Sequence, residues 1–240
     1  MYRSKISTSY GIVVYTYDND ELKFLMTLRR DTFCYECLIR GMYPSNEVLK
    51  DYISHITREE RDRILQYPFD MLWKDLWVST KRRSYRVEYK KASEKFQENK
   101  NVILEQVTHM DTFDPPSWEF AKGKMFSEET PIQCALREFN EETTIPVSDV
   151  KVIKQAGTYQ ESFYGNDNRK YQSVYYLGLI QDGTMKPFVY QNCPHNMRQP
   201  YVSDEVMSIN WFTFDEALEV SSPTKKTILF QIKNFLCGLK

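Results

Sequence analysis

Residues 123–145, GKMFSEETPIQCALREFNEETTI, combine the signals of an amphipathic helix with a high density of acidic side chains. Thr130 can cap the helix, Pro131 suits its first position, and Gln133 can reach back to complete a capping box. At about 100° per residue, the apolar positions fall on one face. These positions are Ile132, Ala135, Leu136 and Phe139. The segment therefore predicts a helix that docks on a sheet.

Three carboxylates, Glu138, Glu141 and Glu142, crowd the arc beside that apolar face. Like charges at this spacing repel one another, so the cluster predicts a compensating cation. Mg²⁺ and Mn²⁺ are hard ions that prefer oxygen ligands of this kind. The alternative is an acidic face that serves only solvation.

The glycine and the charged residues of this segment have a defined spacing: Gly123, Glu129, Arg137, Glu138, Glu141 and Glu142. This spacing resembles the signature of the Nudix hydrolases, which we call the Nudix box. One position differs, because Thr144 stands where the family has Gly, and the residue type alone does not predict the left-handed turn that usually follows the helix. The resemblance implies an α/β fold, the Nudix α/β/α sandwich, and hydrolysis of a nucleoside diphosphate linked to another group.

The resemblance also implies roles for individual residues. The metal ligands would be the Gly123 carbonyl, Glu138, Glu141, Glu142 and, at a distal strand start, Glu205. Arg137 would orient the glutamates, and Glu129 would support the helix start or a second metal. Bound Mg²⁺ or Mn²⁺ would neutralise a pyrophosphate and lower the pKa of a water molecule. The general base is either Glu138 or Glu205.

Composition agrees with a compact enzyme. The chain has 240 residues, of which 41% are hydrophobic, and a net charge of −1 that gives no overall attraction to nucleic acid. No run of about 18 apolar residues is present, and the N-terminus lacks the apolar core of a signal peptide. We therefore expect neither a membrane span nor secretion, and a location in the cytosol or nucleus, of which we favour the cytoplasm. No obligate protein partner can be inferred.

Cysteine and histidine residues offer a second candidate metal site. Cys34 and Cys37 have ligand spacing, and Cys193 with His195 could complete a zinc site. We favour instead an extended strand with partly buried thiols at residues 33–39. The isolated His55 and His109 are interpreted as ordinary surface or packing residues.

Hydrophobic periodicity divides the chain into three regions. Residues 6–43 alternate around an Asn19-Asp20 turn and predict a hairpin followed by a further extended stretch. Residues 44–110 have helical periods, with a capping box at Thr57 and Glu60. Residues 111–240 return to strands and end in a helix over 223–239. We therefore predict a Nudix domain at 1–44 and 111–240 and a helical insertion at 45–110.

The substrate is indicated by weaker signals. WEFAKGK, residues 118–124, resembles a segment of Nudix enzymes that decap messenger RNA, with Lys122 and Lys124 placed to meet phosphates. The helical insertion resembles the arrangement in decapping enzymes of poxviruses and African swine fever virus. That resemblance implies a viral host-shutoff protein of the host cytoplasm that acts on capped RNA.

The insertion also carries a basic stretch. Residues 81–100 hold eight Lys or Arg against three Glu, interleaved with Tyr85, Tyr89 and Phe96, and this pattern suits RNA backbone and stacked bases. Its strongest basic candidates are Arg82, Arg83, Lys90 and Lys91. The alternative is a solvated amphipathic helix.

Two aromatic residues are needed to hold a methylated cap, and the candidates are Phe163, Tyr164 and Tyr35. Two other functions stay open. One is a Nudix hydrolase of small substrates such as diphosphoinositol polyphosphates or dinucleoside polyphosphates, and the other is a non-catalytic RNA-binding protein.

Overall fold

The computed structural model describes residues 6–77, 83–115, 117–164, 170–181, 203 and 205–238. These residues form two compact units. The helical unit comprises the described residues of Arg30–Pro116, and the sheet unit comprises those of Met1–Arg29 and Ser117–Lys240. The two units divide after residues 29 and 116, whereas the domain boundaries after residues 44 and 110 stay a prediction from the sequence.

The described part of the helical unit contains six helices. They are α1 (Phe33–Ile39), α2 (Asn46–Ser54), α3 (Arg58–Gln66), α4 (Phe69–Leu76), α5 (Arg83–Glu98) and α6 (Lys100–Thr108). Their core surrounds the fully buried Leu72 and Trp73. The predicted capping box is confirmed, since the side chains and backbones of Thr57 and Glu60 bond reciprocally. A buried pair between Arg63 and Asp31, 2.6 Å apart, adds a charged group to this core.

The predicted extended stretch at residues 33–39 is wrong, because this segment forms α1. Thr32 caps the helix by accepting from the backbone N–H of Tyr35. Tyr35, Leu38 and Ile39 are fully buried at positions i, i+3 and i+4, which is a helical period. Alternation around the cysteines was therefore a misleading signal, and the cap at Thr32 was the informative one.

The described part of the sheet unit contains eight strands in one mixed sheet. They are β1 (Ser7–Asp18), β2 (Glu21–Arg29), β3 (Trp118–Glu119), β4 (Lys122–Gly123), β5 (Lys151–Val152), β6 (Tyr159–Tyr164), β7 (Lys170–Leu179) and β8 (Val206–Thr213). The hairpin of β1 and β2 turns at Asn19 and Asp20, whose φ values of 50° and 65° suit a two-residue turn. β1 also pairs in parallel with β7 and antiparallel with β4, so it is central to the sheet.

Helices cover both faces of this sheet, as predicted. On one face lies α7 (Pro131–Thr143), whose Phe139 packs with Ile12 and Val14 of β1. On the other lie α8 (Phe214–Val220) and α9 (Pro223–Cys237), whose side chains pack with Val13 and Tyr15. A 3₁₀ turn at Lys154–Ala156 separates β5 from β6. No helix in the described residues is long and apolar enough to cross a bilayer.

Candidate active site

Local signals place α7 where the sequence predicts it. Thr130 accepts from the backbone N–H of Gln133, and the Gln133 side chain accepts from the backbone N–H of Thr130. At the other end, Thr144 adopts the left-handed conformation, with φ of 62°, and its N–H donates to the Asn140 carbonyl. The residue type did not predict this turn. Asn140 stabilises it by donating to the carbonyl of Ile145, 2.9 Å away.

The backbone of β4 lies directly against α7 at Gly123. A Cβ at this position would overlap the carboxyl group of Glu138, so the Glu138 side chain would have to move. Gly123 thus allows the Glu138 carboxylate to lie directly against β4. The approach places the Gly123 carbonyl and the Glu138 carboxylate in the same neighbourhood.

Arg137 connects the acidic residues of α7 and the loop before it. Its guanidinium donates to Glu129, to Glu141 at 2.8 Å and to the Lys124 carbonyl at 3.0 Å, and it lies 2.8 Å from Glu138. The hydrogen bond from Arg137 lowers the pKa of Glu129, which also accepts from the backbone N–H of Phe126. Arg137 therefore contacts three acidic side chains of this neighbourhood, and the orienting role that the resemblance implies stays a prediction.

Two carboxyl groups in this neighbourhood favour the protonated form. Burial raises the pKa of Glu142 to about 8, and the charge of Glu205 contributes to this rise. Burial also raises the pKa of Glu138, to which the charges of Glu141 and Glu205 contribute. The backbone N–H of Lys122 donates to Glu142 over 3.3 Å. Glu205, which directly precedes β8, thus belongs electrostatically to this group.

The donor set fits a divalent cation in its chemistry. Glu138, Glu141, Glu142 and Glu205 supply only oxygen atoms, and their mutual repulsion is of the kind that a hard cation relieves. Among the described residues, no three acidic, His or Cys side chains are already arranged to hold a metal ion. Binding would therefore require Glu142 to be ionised and the side chains that contact Arg137 to rearrange.

Comparison with known proteins explains this arrangement. The model of the NUDIX domain family matches residues 95–231, which is more than half of the chain. The chain belongs to the Nudix family. Members of this family generally use divalent metals such as Mg²⁺ or Mn²⁺, and the prediction of a Nudix hydrolase is confirmed at this level. The four glutamates and Arg137 of the Nudix box all lie on α7 or in the loop before it.

Among curated proteins, a putative mRNA-decapping protein of Acanthamoeba polyphaga mimivirus is 31% identical over 170 residues, 63% of this chain and 44% of that protein. The chain thus matches less than half of that relative. The mRNA-decapping protein g5R of African swine fever virus is 22% identical over 218 residues, 86% of this chain and 85% of that protein. A crystal structure of a C. elegans Ap4A hydrolase shares the fold, with a TM-score of 0.51, 12% identity and coverage of 97% and 99% of the two chains.

The two lysines predicted to meet phosphates differ in their surroundings. Lys122 forms an ion pair with Glu119, 3.3 Å away, on the face of the sheet opposite the Nudix box. Lys124 is exposed, donates to the Ser7 hydroxyl at 2.7 Å and lies 5.9 Å from the centre of the Tyr171 ring. Lys124 is therefore accessible to a phosphate, whereas the Lys122 side chain is engaged elsewhere.

Of the three aromatic candidates for a cap, two are at the surface. Phe163 and Tyr164 at the end of β6 are 55% and 71% exposed. Phe163 stacks on Tyr171, with ring centres 5.5 Å apart and planes 15° apart. Tyr35 is excluded, because it is fully buried in the core of the helical unit beneath Arg63.

The basic stretch is only partly described. Lys90 and Lys91 are exposed on α5, Arg83 lies in the first turn of α5, and Arg82 is outside the described residues. The interleaved aromatics do not form a platform for bases. Phe96 is buried, while Tyr85 and Tyr89 pack against the core of the helical unit, so their spacing reflects the apolar face of the helix.

The zinc alternative gains no support from α1. Cys34 and Cys37 lie on this helix, where burial raises the pKa of Cys34 to about 11 and that of Cys37 to about 12. Both thiols are therefore neutral without a metal, and zinc would have to displace their protons. Cys193 and His195 lie outside the described residues.

Sequence reasoning missed one group near β4. Glu119 accepts from Lys225 of α9 at 3.0 Å, and Glu161 accepts from Tyr175 and Thr224 at 2.8 and 2.7 Å. In the sequence, the pairing of Glu119 with Lys122 is indicated only by their separation of three residues. Its second partner is 106 residues away along the chain.

Proposed function

We propose that this chain is a metal-dependent Nudix pyrophosphohydrolase that removes the 5′ cap of messenger RNA, releasing 7-methyl-GDP and RNA with a 5′-monophosphate. The proposal is carried by the carboxylate cluster of α7, held against the Gly123 backbone and tied together by Arg137. The names of the mimivirus and African swine fever virus relatives support the substrate.

The metal ligands would be Glu138, Glu141, Glu142, Glu205 and the Gly123 carbonyl. When bound, Mg²⁺ or Mn²⁺ supplies charge neutralisation at a pyrophosphate and a more acidic water molecule. The protein orients these carboxylates through Arg137 and accepts the proton on Glu138 or Glu205. Glu142, which is largely buried and accepts a hydrogen bond from the Lys122 N–H, is better suited to ligation than to proton transfer.

The exposed aromatic pair at the end of β6 supports recognition of the cap. Phe163 already stacks on Tyr171, and Lys124 lies near the same ring. A 7-methylguanine ring carries positive charge, so an aromatic face attracts it by about 0.5–2 kcal/mol. We propose that Phe163 or Tyr164 contacts the methylated base and that Lys124 contacts a phosphate.

The outer face of α5 supports RNA binding by the helical unit. Lys90, Lys91 and Arg86 are exposed on this helix, and each phosphate that they neutralise would release condensed counterions. Because the aromatic residues of α5 face the core, the contact would be with the RNA backbone rather than with stacked bases. The product, an RNA with a 5′-monophosphate, is a substrate for exonucleases, so the biological effect would be transcript turnover in the host cytoplasm if the protein is viral.

The test incubates the purified full chain with Mg²⁺ or Mn²⁺ and RNA labelled in its cap. We expect labelled 7-methyl-GDP, slower cleavage of an unmethylated cap, and competition by uncapped RNA. Glu142→Gln is the inactive control. Release of 7-methyl-GMP, or cleavage of a diphosphoinositol polyphosphate in place of capped RNA, would replace this proposal with a Nudix hydrolase of small substrates.

A further inference from the structure

An ion-paired cluster lies behind β4, on the face of the sheet opposite the Nudix box. We call Glu119, Lys122 and Lys225 the Glu119 cluster. Lys225 Nζ is 3.0 Å from both carboxylate oxygens of Glu119, and Lys122 Nζ is 3.3 Å from one of them. Burial opposes ionisation of Glu119, yet the charges of Lys122 and Lys225 lower its pKa to about 2.

Packing alone does not account for Lys225. The residue is only 6% exposed and lies in the first turn of α9, where the helix dipole disfavours a cation. Lysine is almost never buried unless it is paired, and an apolar side chain of similar volume is often as stable in such a place. A role beyond stability would explain why a charged residue occupies this position.

The geometry of β4 relates the Glu119 cluster to the carboxylates of α7. Lys122 pairs with Gly11, and a Cβ added at Gly11 would touch Lys122 and Tyr175, so the Lys122 side chain faces α9. The next residue, Gly123, faces Glu138 on the other side. The N–H of Lys122 donates to Glu142. One two-residue strand is thus fixed by ion pairs on one face and meets two candidate metal ligands on the other.

We propose that Glu119 and Lys225 are positioning residues for the Nudix box. They hold the Lys122 side chain in place, and Lys122 in turn fixes the β4 backbone that contacts Glu138 and Glu142. This inference rests on the proposed metal-dependent function. Neither residue touches substrate. Their effect reaches the carboxylates through the Lys122 N–H and the close approach at Gly123.

The test compares Lys225→Met, which keeps the length of the side chain but removes its charge, with Lys225→Arg, which retains the charge. Lys226→Met, at the next and more exposed position of α9, is the matched control. Two readouts do not depend on activity: the Mn²⁺ concentration at half-maximal thermal stabilisation, and hydrogen exchange of the peptide that contains the Lys122 amide. Turnover of capped RNA is the third readout.

We expect Lys225→Met to raise the Mn²⁺ midpoint at least fivefold and to speed exchange at the Lys122 peptide. It should also lower kcat with little change in KM for RNA, while Lys225→Arg restores most of each effect. If Lys225→Met fails to fold, Glu119→Gln replaces it in the test, because this variant keeps the shape of the side chain and should give the same result. A change in melting temperature without a change in the Mn²⁺ midpoint or in exchange would overturn the inference.

The proposed function can fail separately. If the unmodified chain releases no 7-methyl-GDP, the substrate assignment is wrong. The Mn²⁺ midpoint and hydrogen exchange at the Lys122 peptide still test the role of Lys225. If Glu142→Gln abolishes decapping while Lys225→Met behaves as Lys226→Met, the function stands and the positioning role is rejected.

Discussion

Glu142→Gln should make the metal-free chain more stable at alkaline pH while it abolishes activity. Burial raises the pKa of Glu142 from 4.5 to about 8, so ionisation of this group in the folded chain is unfavourable. Its contribution to stability is complete below pH 4.5 and is lost as the pH rises to about 8. Glutamine is neutral throughout this range and can still accept from the Lys122 N–H.

The expected gain in the free energy of unfolding follows from the rise in the pKa of Glu142. One pH unit corresponds to about 1.4 kcal/mol, so complete ionisation costs at most about 5 kcal/mol. Because the Glu142 side chain partly reaches solvent, we expect the variant to gain about 1–3 kcal/mol in the free energy of unfolding at about pH 9. The gain should be near zero at the acidic end of the range.

The assay is urea denaturation in EDTA at half-unit steps from about pH 4.5 to about pH 9. Glu141→Gln is the matched control, since this neighbour on α7 is 57% exposed and its replacement should give a smaller gain than Glu142→Gln. At about pH 8, Mn²⁺ should stabilise the unmodified chain more than Glu142→Gln, because binding requires the ionised carboxylate. A pH-independent difference between Glu142→Gln and the unmodified chain would refute this reasoning.

Three further variants address other parts of the structure. Gly123→Ala places a methyl group where the Glu138 carboxyl lies, so this side chain should shift and the chain should lose nearly all turnover with little change in stability; unchanged turnover would contradict this reasoning. The double variant Lys90→Glu, Lys91→Glu should weaken binding of long RNA and reduce the salt dependence of that binding by about two counterions. Filter binding at several salt concentrations measures both effects. Hydrolysis of a cap dinucleotide should stay constant. Phe163→Ala should raise KM for methylated cap by roughly 2- to 30-fold and leave unmethylated cap nearly unaffected, and an equal loss on both would exclude a cation–π contact.

The predictable parts of the molecule are those set by local chemistry. Thr130, Pro131 and Gln133 specify the start of α7 within four residues, so its position and its acidic face follow from the sequence. The same holds for the turn at Asn19 and Asp20. The left-handed turn at Thr144 was not predictable from residue type, because its stabilising partner is the Asn140 side chain.

The parts that could not be predicted depend on distant contacts. Tyr35 is compatible with a surface platform until Arg63 and the helical core are seen to enclose it. Lys122 has the charge of a phosphate ligand, but its partner Glu119 also binds Lys225, which is far away in the sequence. Periodicity identifies an apolar face on α5, yet it does not reveal whether Tyr85 and Tyr89 contact RNA or a protein core.

The two strands that flank the helical unit in the sequence, β2 and β3, are neighbours in the sheet. The N–H of Arg29, the last residue of β2, donates to the Ser117 carbonyl at 3.1 Å, and Leu28 pairs with Trp118 of β3. A chain that joined these two strands directly would need only a short hairpin loop, since antiparallel neighbours are commonly linked by about two to five residues. A short loop in place of the helical unit would thus leave the pairing of β2 with β3 unchanged in the sheet that carries the carboxylates.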